Sequence, residues 1–510
     1  MVDFSSMLSG LLALCNFDAI LSLLVGVVGG MVIGALPGFS AAMGVSLLIP
    51  LTYGMSPIAA LTMLVAMYTS AIYGGSITAI LCHTPGTPAS AATAIDGFQL
   101  TKQGRGMEAM GVATVCSGIG GTVSAIAMLF IAPALGAFSL KFSVLEYFLL
   151  SLFGLTVIAS LAGDSVVKGM FSGILGLLLG CIGLDAISGH PRMTLGILNL
   201  EDGINFVPAL IGLFSVSQVM TLAWDVYHGK KGSVVEDEEN LKHGRPLPPW
   251  SEAKTLIPTT IRCSIVGTIV GIIPAAGAGV SSWICYSMGK KFSKHPEKFG
   301  HGALEGVASC ETGNNAATGG ALIPLITLGL PGSSVAAILL GGMMIHGLTP
   351  GASMFTKHAS TTYAIMIGFL FANILMAVIG IFAARRIARV SSLPMGVLAP
   401  VILALCAIGT YAIRGNMFDV GVMVVFGLLG FVLKRCGFAA PPMILGMVLS
   451  EICESNWRRA IILAQAKGGM LSYFLSRPIA IVLTILILAS LFSPVLMNYV
   501  NKKSRAIEKQ

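Results

Sequence analysis

The sequence predicts an all-α polytopic membrane protein made of two inverted-topology repeats, with roughly 10–14 helices. Three observations support this fold class. Of the 510 residues, 55% are hydrophobic and only 10% are charged, whereas a soluble chain is about 25% charged. Apolar runs near the length of a membrane-crossing helix recur along the chain. Motifs of the first half return in the same order in the second half. These patterns exclude a soluble enzyme, and also a β-barrel, whose strands alternate apolar and polar residues.

The charge balance favours a lipid bilayer as the surrounding medium and no nucleic-acid partner. The chain has 30 Lys and Arg against 22 Asp and Glu, which gives a formal net charge of +8. In a membrane protein such an excess collects in cytoplasmic loops. The ten cysteines are scattered, mostly in apolar runs, and show no metal-binding spacing, so we predict no cofactor and no disulfide framework. The N-terminus lacks a signal-peptide pattern and is expected to lead into a retained helix.

The longest hydrophilic stretch divides the chain near its middle. We predict a first transmembrane repeat at 1–227, a hydrophilic linker at 228–254 and a second transmembrane repeat at 255–510. Four matches in one order support the division, with offsets of 237, 245, 245 and 250 residues. They pair GALPG (34–38) with GIIPA (271–275), GGSITAILCHTPGTP (74–88) with GGALIPLITLGLPGSS (319–334), DGFQLTKQGRG (96–106) with GGMMIHGLTPG (341–351), and PRMTLG (191–196) with PPMILG (441–446).

Loop charge indicates that the two repeats are inverted. The segment 290–301 carries four lysines, whereas its counterpart 51–57 carries none. Three arginines between 385 and 389 face a first-half loop that has only Lys141. Because Lys and Arg collect on the cytoplasmic side, equivalent loops are expected on opposite sides of the membrane, as in many secondary transporters. The basic residues at 502–505 place the C-terminus in the cytoplasm by the same rule.

Each half contains a Pro-Gly break inside an apolar run. The breaks are Thr84-Pro85-Gly86-Thr87-Pro88 and Leu330-Pro331-Gly332-Ser333-Ser334. Proline and glycine interrupt the helical hydrogen bonds, and the freed backbone groups are tolerated in a bilayer only inside protein or beside water. Ordinary helix kinks are the alternative. Because the breaks occur at corresponding positions, we predict that the two broken hairpins meet near the bilayer midplane and form the binding site.

The chemistry of the breaks favours an anionic substrate. A half-helix that begins after each break presents free N–H groups and a partial positive charge. Hydroxyl groups stand at the same ends, and neither break carries Lys or Arg, so a carboxylate would be held by dipoles and hydroxyls. The predicted substrate-binding residues are Ser76, Thr84, Pro85, Gly86, Thr87, Asn314, Asn315, Pro331, Gly332, Ser333 and Ser334. Carbonyls before each break could bind Na⁺, and the predicted coupling-ion residues are Leu81, His83, Leu328, Leu330 and Asn314.

Several polar residues near the breaks have two interpretations. Histidine side chains change charge near neutral pH, so His83 could carry a proton, although a hydrogen-bonding role is the simpler one. Asn314 and Asn315 follow Glu311 in a polar run that is costly to bury unless it binds something, and a helix cap or exposed loop is the alternative. Glu311 lies either inside this site or at the membrane interface beside a basic residue. Asp96 is expected to cap or pair rather than to carry protons.

These motifs resemble those of a known family. YGGSITAIL (73–81), TPGTP (84–88) and KQGRG (102–106) are similar to segments of the large membrane subunit of the tripartite tricarboxylate transporters, bacterial systems for organic anions. The same holds for the GALPG run and LLIP between 34 and 50, GNNAATGGALIP (313–324), LGLPGSS (328–334), HGLTPG (346–351), and LGMVLSE, RRA and FLSRP between Leu445 and Pro478. Two positions depart from the pattern: His83 stands where Asn is expected, and Cys310 where Pro is expected.

The resemblance implies partners and an energy source that composition does not reveal. A small membrane subunit and a periplasmic substrate-binding protein should accompany the chain. A Na⁺ or proton gradient should drive uptake of citrate or another carboxylate. Carried over by motif, the site residues are Asn314 and Asn315, Pro85 and Gly86, and Pro331 and Gly332.

The predicted function is therefore a cation-coupled secondary transporter, not an enzyme, that imports a tricarboxylate or dicarboxylate across a bacterial inner membrane. The alternatives are an anion channel and a transporter for another organic anion, such as an aromatic acid. A membrane-embedded enzyme would need a nucleophile–base pair or metal ligands, and neither is evident. A pure scaffold would have no need of two symmetric breaks.

Overall fold

The computed structural model describes residues 3–36, 38–161, 165–185, 189–228, 245–274, 276–390 and 395–491. Within these ranges seven helices are long and apolar enough to cross a membrane, and seven shorter apolar helices accompany them. The described strands are two antiparallel two-residue segments, β1 (Gly183–Leu184) and β2 (Pro191–Arg192). This confirms the predicted all-α polytopic membrane protein. Pro37, Ala275, most of the linker (229–244), the tail at 502–505 and the side chains of Arg385 and Arg389 lie outside the described part.

The helices of the first half precede the linker. They are α1 (Phe4–Leu14), α2 (Phe17–Ala35), α3 (Ala41–Thr52), α4 (Pro57–Cys82), α5 (Thr93–Lys102), α6 (Gly106–Ser139), α7 (Val144–Leu161), α8 (Val166–Gly180), α9 (Phe206–Ile211) and α10 (Ser217–Tyr227). A π-helical turn joins α9 to α10.

The helices of the second half follow the linker. They are α11 (Trp250–Ile272), α12 (Gly277–Phe292), α13 (Leu304–Leu328), α14 (Ser334–Ile345), α15 (Ala352–Thr356), α16 (Ala359–Val390), α17 (Met395–Arg414), α18 (Met417–Arg435), α19 (Ala440–Ala466), α20 (Met470–Leu475) and α21, described over Pro478–Leu491.

Two central helices, α4 and α13, are buried along almost their entire length. Helix α4 begins at Pro57, where a missing N–H costs nothing, and the Ser56 hydroxyl accepts a hydrogen bond from a first-turn N–H. The two helices run antiparallel, because Ser76 of α4 bonds to Glu311 and Thr69 bonds to Asn315. A helix that is apolar on every side must be covered on every side. The core of the protein is therefore this antiparallel pair with its neighbours packed around it.

Contacts around α4 recur around α13, with an offset of 246 residues between these two helices and of 237 residues between α2 and α11, which pack on them. Gly34, near the end of α2, packs on Ala71, and Gly271, near the end of α11, packs on Ala317. Helix α4 ends at a left-handed residue, His83 (φ 53°), and α13 ends at a left-handed residue 246 positions later, Gly329 (φ 70°). The contacting residues Thr69 and Asn315 are also 246 positions apart. Equivalent positions around the breaks are therefore 246 residues apart, one more than the sequence match gave.

One of the four sequence matches has no structural counterpart. PRMTLG begins in β2 and continues into an irregular loop, in which Met193 and Leu195 adopt positive φ. PPMILG lies inside the long helix α19. The similarity of these two segments was therefore a wrong guide to equivalence, because short runs with proline, methionine and glycine do not specify one backbone conformation.

The glycines of the two breaks allow close backbone approach, which yields a testable prediction. A β-carbon on Gly332 would lie 2.8 Å from Ala321 Cα and 2.9 Å from the Gly271 carbonyl oxygen. We expect Gly332→Ala to lower stability by about 1–3 kcal/mol, the usual effect of overpacking. Gly421→Ala, in a helix where a β-carbon meets nothing within 4 Å, is the control and should be neutral or slightly stabilising. Equal melting temperatures for the two variants in detergent would contradict the packing argument.

Candidate functional site

The two Pro-Gly breaks fold back against their own helices. After α4, the N–H of Gly86 donates to the carbonyl of Gly75 at 3.1 Å, and Gly86 packs directly against the Gly34 carbonyl. After α13, the N–H of Leu330 donates to the carbonyl of Pro324 at 3.1 Å. The middle of each break is buried, at Gly86 and Thr87 in the first and at Pro331 and Gly332 in the second, and interrupted backbone is tolerated in a membrane inside protein.

The hydroxyl groups of the breaks have different partners. Ser333 caps α14 by accepting a hydrogen bond from the Ala336 N–H at 3.1 Å, and its hydroxyl also bonds to the Tyr68 hydroxyl at 3.1 Å. The Thr84 hydroxyl donates to the Cys82 carbonyl at 3.1 Å. Thr87 is buried, and its hydroxyl has no hydrogen-bond partner among the described residues.

Both breaks lie beside the beginning of α12. A β-carbon on Gly277 would be 3.6 Å from the β-carbon of Ser333, and one on Gly279 would be 3.8 Å from the carbonyl oxygen of Pro88. The N-termini of α12 and α14 and the turn that begins at Pro88 therefore meet in one region. None of these segments carries Lys or Arg. Helix N-termini without a fixed cation form a region suited to an anion.

A cleft opens beside the second break, lined in part by the end of α13. Its volume is about 520 Å³, within the range of small-molecule sites. Leu328, Gly329 and Leu330 line one wall, and Glu451 and Asn456 of α19 are on another. Of the predicted coupling-ion positions, Leu328 and Leu330 thus lie on the wall of this cleft.

Glu311 lies at the centre of a buried polar cluster, the Glu311 cluster. Its carboxylate is fully buried and accepts four hydrogen bonds from neutral donors on three other helices and its own. They come from Ser76 at 2.6 Å, Thr93 at 2.5 Å, Ser117 at 2.9 Å and the Asn314 amide at 3.1 Å. The interpretation of Glu311 as an interfacial residue paired with a basic side chain is therefore wrong. Burying a carboxylate is costly, and four tethered donors offset part of that cost.

The two neighbouring asparagines face different partners. The Asn314 amide nitrogen donates to Glu311. The Asn315 amide nitrogen donates to the Thr69 hydroxyl at 3.4 Å, and this hydroxyl in turn donates to Asn373 of α16 at 2.7 Å. The side-chain oxygens of both asparagines have no hydrogen-bond partner among the described residues. Both side chains are fully buried, so each carries an unsatisfied acceptor inside the protein. The alternative of an exposed loop is excluded for both.

Some predicted residues lie away from this centre. His83 is exposed, and its ring stacks on Phe98 with centroids 4.6 Å apart. Leu81 is buried near the end of α4. Among the described residues, His83 thus contacts the half-buried ring of Phe98 and no member of the Glu311 cluster. Both interpretations of this residue, as a proton carrier and as a hydrogen-bonding side chain, stay predictions.

Asp96 has the capping role expected of it. Its carboxylate accepts the N–H groups of Gly300, Gly302 and Ala303 at 2.8–3.0 Å, and the Tyr286 hydroxyl at 3.0 Å. It therefore holds the chain entering α13. Three other residues of the site were missed from the sequence: Tyr68, Thr93 and Ser117. Each is a common residue type in membrane helices, and only the three-dimensional arrangement distinguishes them.

Comparisons with known proteins find similar sequences over most of the chain. A family model described as the tripartite tricarboxylate transporter TctA family matches residues 20–445. An uncharacterized 52.8 kDa protein in the TAR-I ttuC' 3' region of Agrobacterium vitis is 37% identical over 459 residues, covering 89% of each chain. An uncharacterized protein in the TAR-II ttuC' 3' region of the same organism is 36% identical over 214 residues, which is 42% of this chain and 87% of that protein.

Proposed function

Because the chain belongs to the tripartite tricarboxylate transporter TctA family, we propose that it is the large membrane subunit of a carboxylate importer in a bacterial inner membrane. The single observation that carries this proposal is the meeting of both Pro-Gly breaks with the N-terminus of α12, in a region without basic side chains. The proposed substrate is citrate or another tricarboxylate or dicarboxylate. Its carboxylates would be held by backbone N–H groups and by the hydroxyls of Thr87 and Ser333.

We infer that the two halves, 1–227 and 255–510, are inverted repeats on either side of a linker at 228–254. The antiparallel course of α4 and α13 and the constant offset of 246 around the breaks support this. An inverted pair lets a central site open alternately to either side. The proposed C-terminus is cytoplasmic.

Transport is proposed to depend on partners and on an ion gradient. A small membrane subunit would complete the membrane complex, and a periplasmic binding protein would deliver the substrate to the outer face. The proposed energy source is a Na⁺ or proton gradient. A carboxylate carries negative charge, so its uptake against an inside-negative potential requires a coupled cation.

The test is uptake of labelled citrate into proteoliposomes that contain this chain and its small membrane subunit. The binding protein is added or omitted, and a Na⁺ gradient or a proton gradient is imposed separately. We expect uptake only with the binding protein and with one of the two gradients. Gradient-independent flux with single-channel currents would instead indicate an anion channel. A panel of dicarboxylates and aromatic acids, run in parallel, identifies the substrate if citrate is not taken up.

A further inference from the structure

We propose that the Glu311 cluster is the binding site of the coupling cation and that this cation is Na⁺. The ligands would be the Glu311 carboxylate, the side-chain oxygen of Asn314 and the hydroxyl of Thr87, together with hydroxyls of the cluster. The inference rests on the proposed transport function and deepens it, because it names the ion and the residues that bind it.

Charge provides the first step. The Glu311 carboxylate is fully buried, and the ion pairs of the described residues do not involve it. Its four hydrogen-bond donors are neutral. An ionisable side chain inside a membrane protein is expensive and is usually balanced by a partner or a bound ion. A single carboxylate among neutral oxygens matches a cation of charge one.

The other half of the protein shows that the fold does not require this cluster. At an offset of 246 residues, Glu311 corresponds to Val65, Ser76 to Leu322 and Thr93 to Leu339. These three side chains line one small apolar cavity. The same place in the architecture is thus filled by hydrocarbon in one half and by a carboxylate with hydroxyls in the other. Since hydrocarbon is the less costly way to fill a buried site, the polar version needs a reason other than folding.

Unsatisfied oxygens point to the position of the ion. In the second break, Ser333 bonds to Tyr68 of α4. At the same offset of 246 residues, Ser333 corresponds to Thr87 and Tyr68 corresponds to Asn314. Both are buried, and the Thr87 hydroxyl and the Asn314 oxygen have no hydrogen-bond partner among the described residues. The nitrogen of the same Asn314 amide touches Glu311. From the geometry of the second break we infer that these two oxygens face a common point beside the carboxylate.

Sodium satisfies this arrangement better than a proton. A proton on Glu311 would neutralise the charge but would leave the oxygens of Asn314 and Thr87 without a partner, at a cost for each buried acceptor. A hard cation takes carboxylate, carbonyl and hydroxyl oxygens together. Thr87 also belongs to the first break, so an ion bound there would order the same segment that is proposed to hold the substrate.

The experiment measures the melting temperature of the purified full-length chain in detergent, titrated with NaCl against choline chloride at constant ionic strength. We expect Na⁺ to raise the melting temperature of the wild type, because it binds only the folded state. Thr87→Val removes an unpartnered hydroxyl without changing side-chain shape. It should melt normally without Na⁺ and need about tenfold more Na⁺ for half-maximal stabilisation. Glu311→Gln should lose the Na⁺ response.

The control is Glu305→Gln, the same chemical change on the same helix. Glu305 accepts hydrogen bonds from Thr259 and Ser293 and lies outside the cluster. It should keep the wild-type Na⁺ response. A wild type that Na⁺ does not stabilise relative to choline, or a Thr87→Val variant with unchanged Na⁺ dependence, overturns the proposal. If Glu311→Gln does not fold, the Thr87→Val titration still decides.

The uptake assay separates this inference from the proposed function. Carboxylate uptake driven by a proton gradient, with no stabilisation by Na⁺, would refute the Na⁺ site and leave the transporter. Stabilisation by Na⁺ that needs about tenfold more Na⁺ in Thr87→Val, without uptake of any carboxylate under either gradient, would support the ion site and refute the carboxylate importer.

Discussion

Replacing Ser333 with leucine is expected to abolish carboxylate uptake while the protein still inserts into the membrane. The serine caps α14 and bonds to Tyr68, and its β-carbon faces the beginning of α12 near Gly277. Leucine removes both hydrogen bonds and fills the space where the helix N-termini meet. The measurement is initial uptake in proteoliposomes, which should fall to the level of empty vesicles, beside quantification of the inserted protein.

Two further variants complete this experiment. Ser472→Leu makes the same change at an exposed residue of α20 and should transport like the wild type. Asn314→Ala removes a group from the Glu311 cluster and should also abolish uptake. Wild-type rates in both Ser333→Leu and Asn314→Ala would show that the breaks are not the site.

Arg477→Ala is expected to have the largest effect on stability. Glu146 of α7 is completely buried, and its carboxylate accepts two hydrogen bonds from Arg477, at 2.7 and 3.0 Å. The hydrogen bond to Glu146 raises the pKa of Arg477, so the guanidinium stays charged. Its loss would leave a buried carboxylate unpaired, which costs about 3–5 kcal/mol. We expect a lower melting temperature and a lower yield of monodisperse protein.

The matched control for this prediction is Lys467→Ala, which removes another cation from the same end of the second half. Lys467 is exposed and lies over the ring of Tyr473 at 5.3 Å. Exposed cations contribute little, so its melting temperature should stay close to the wild type. An Arg477→Ala protein as stable as Lys467→Ala would mean that Glu146 is neutral or finds another donor.

The features that the sequence predicts well are those with local causes. Adjacent proline and glycine, as at 85–86 and 331–332, disfavour helix strongly, and α4 and α13 end just before these two breaks. The left-handed conformation at the end of α13 follows from Gly329, since only glycine adopts it without strain. His83 also adopts the left-handed conformation although it is not a glycine. No local sequence pattern predicts this. His83 occupies the position in the first half that corresponds to Gly329 in the second half.

The Glu311 cluster could be predicted only in part. The sequence singles out Ser76, Asn314 and Glu311, but it gives no reason to add two further members from distant parts of the chain. Thr93 and Ser117 are about 200 residues away from Glu311 in sequence. Threonine and serine in apolar runs more often bond to their own helix, as Thr114 does with Met110. Local pattern therefore gave no reason to single them out. The match between PRMTLG and PPMILG was wrong for a different reason. The two segments are similar in local sequence, but that similarity does not determine their position in the fold.

The most direct test of the central claim, that the two breaks hold the carboxylate, is substrate protection of a cysteine at the site. Ser333→Cys and the control Ser472→Cys are made in a chain whose ten native cysteines are replaced. A thiol reagent is then applied with and without the carboxylate that the uptake assay identifies. We predict that saturating substrate slows labelling at 333 at least tenfold and leaves 472 unchanged. Equal labelling rates at 333 with and without substrate, in a protein that still transports, would contradict the account.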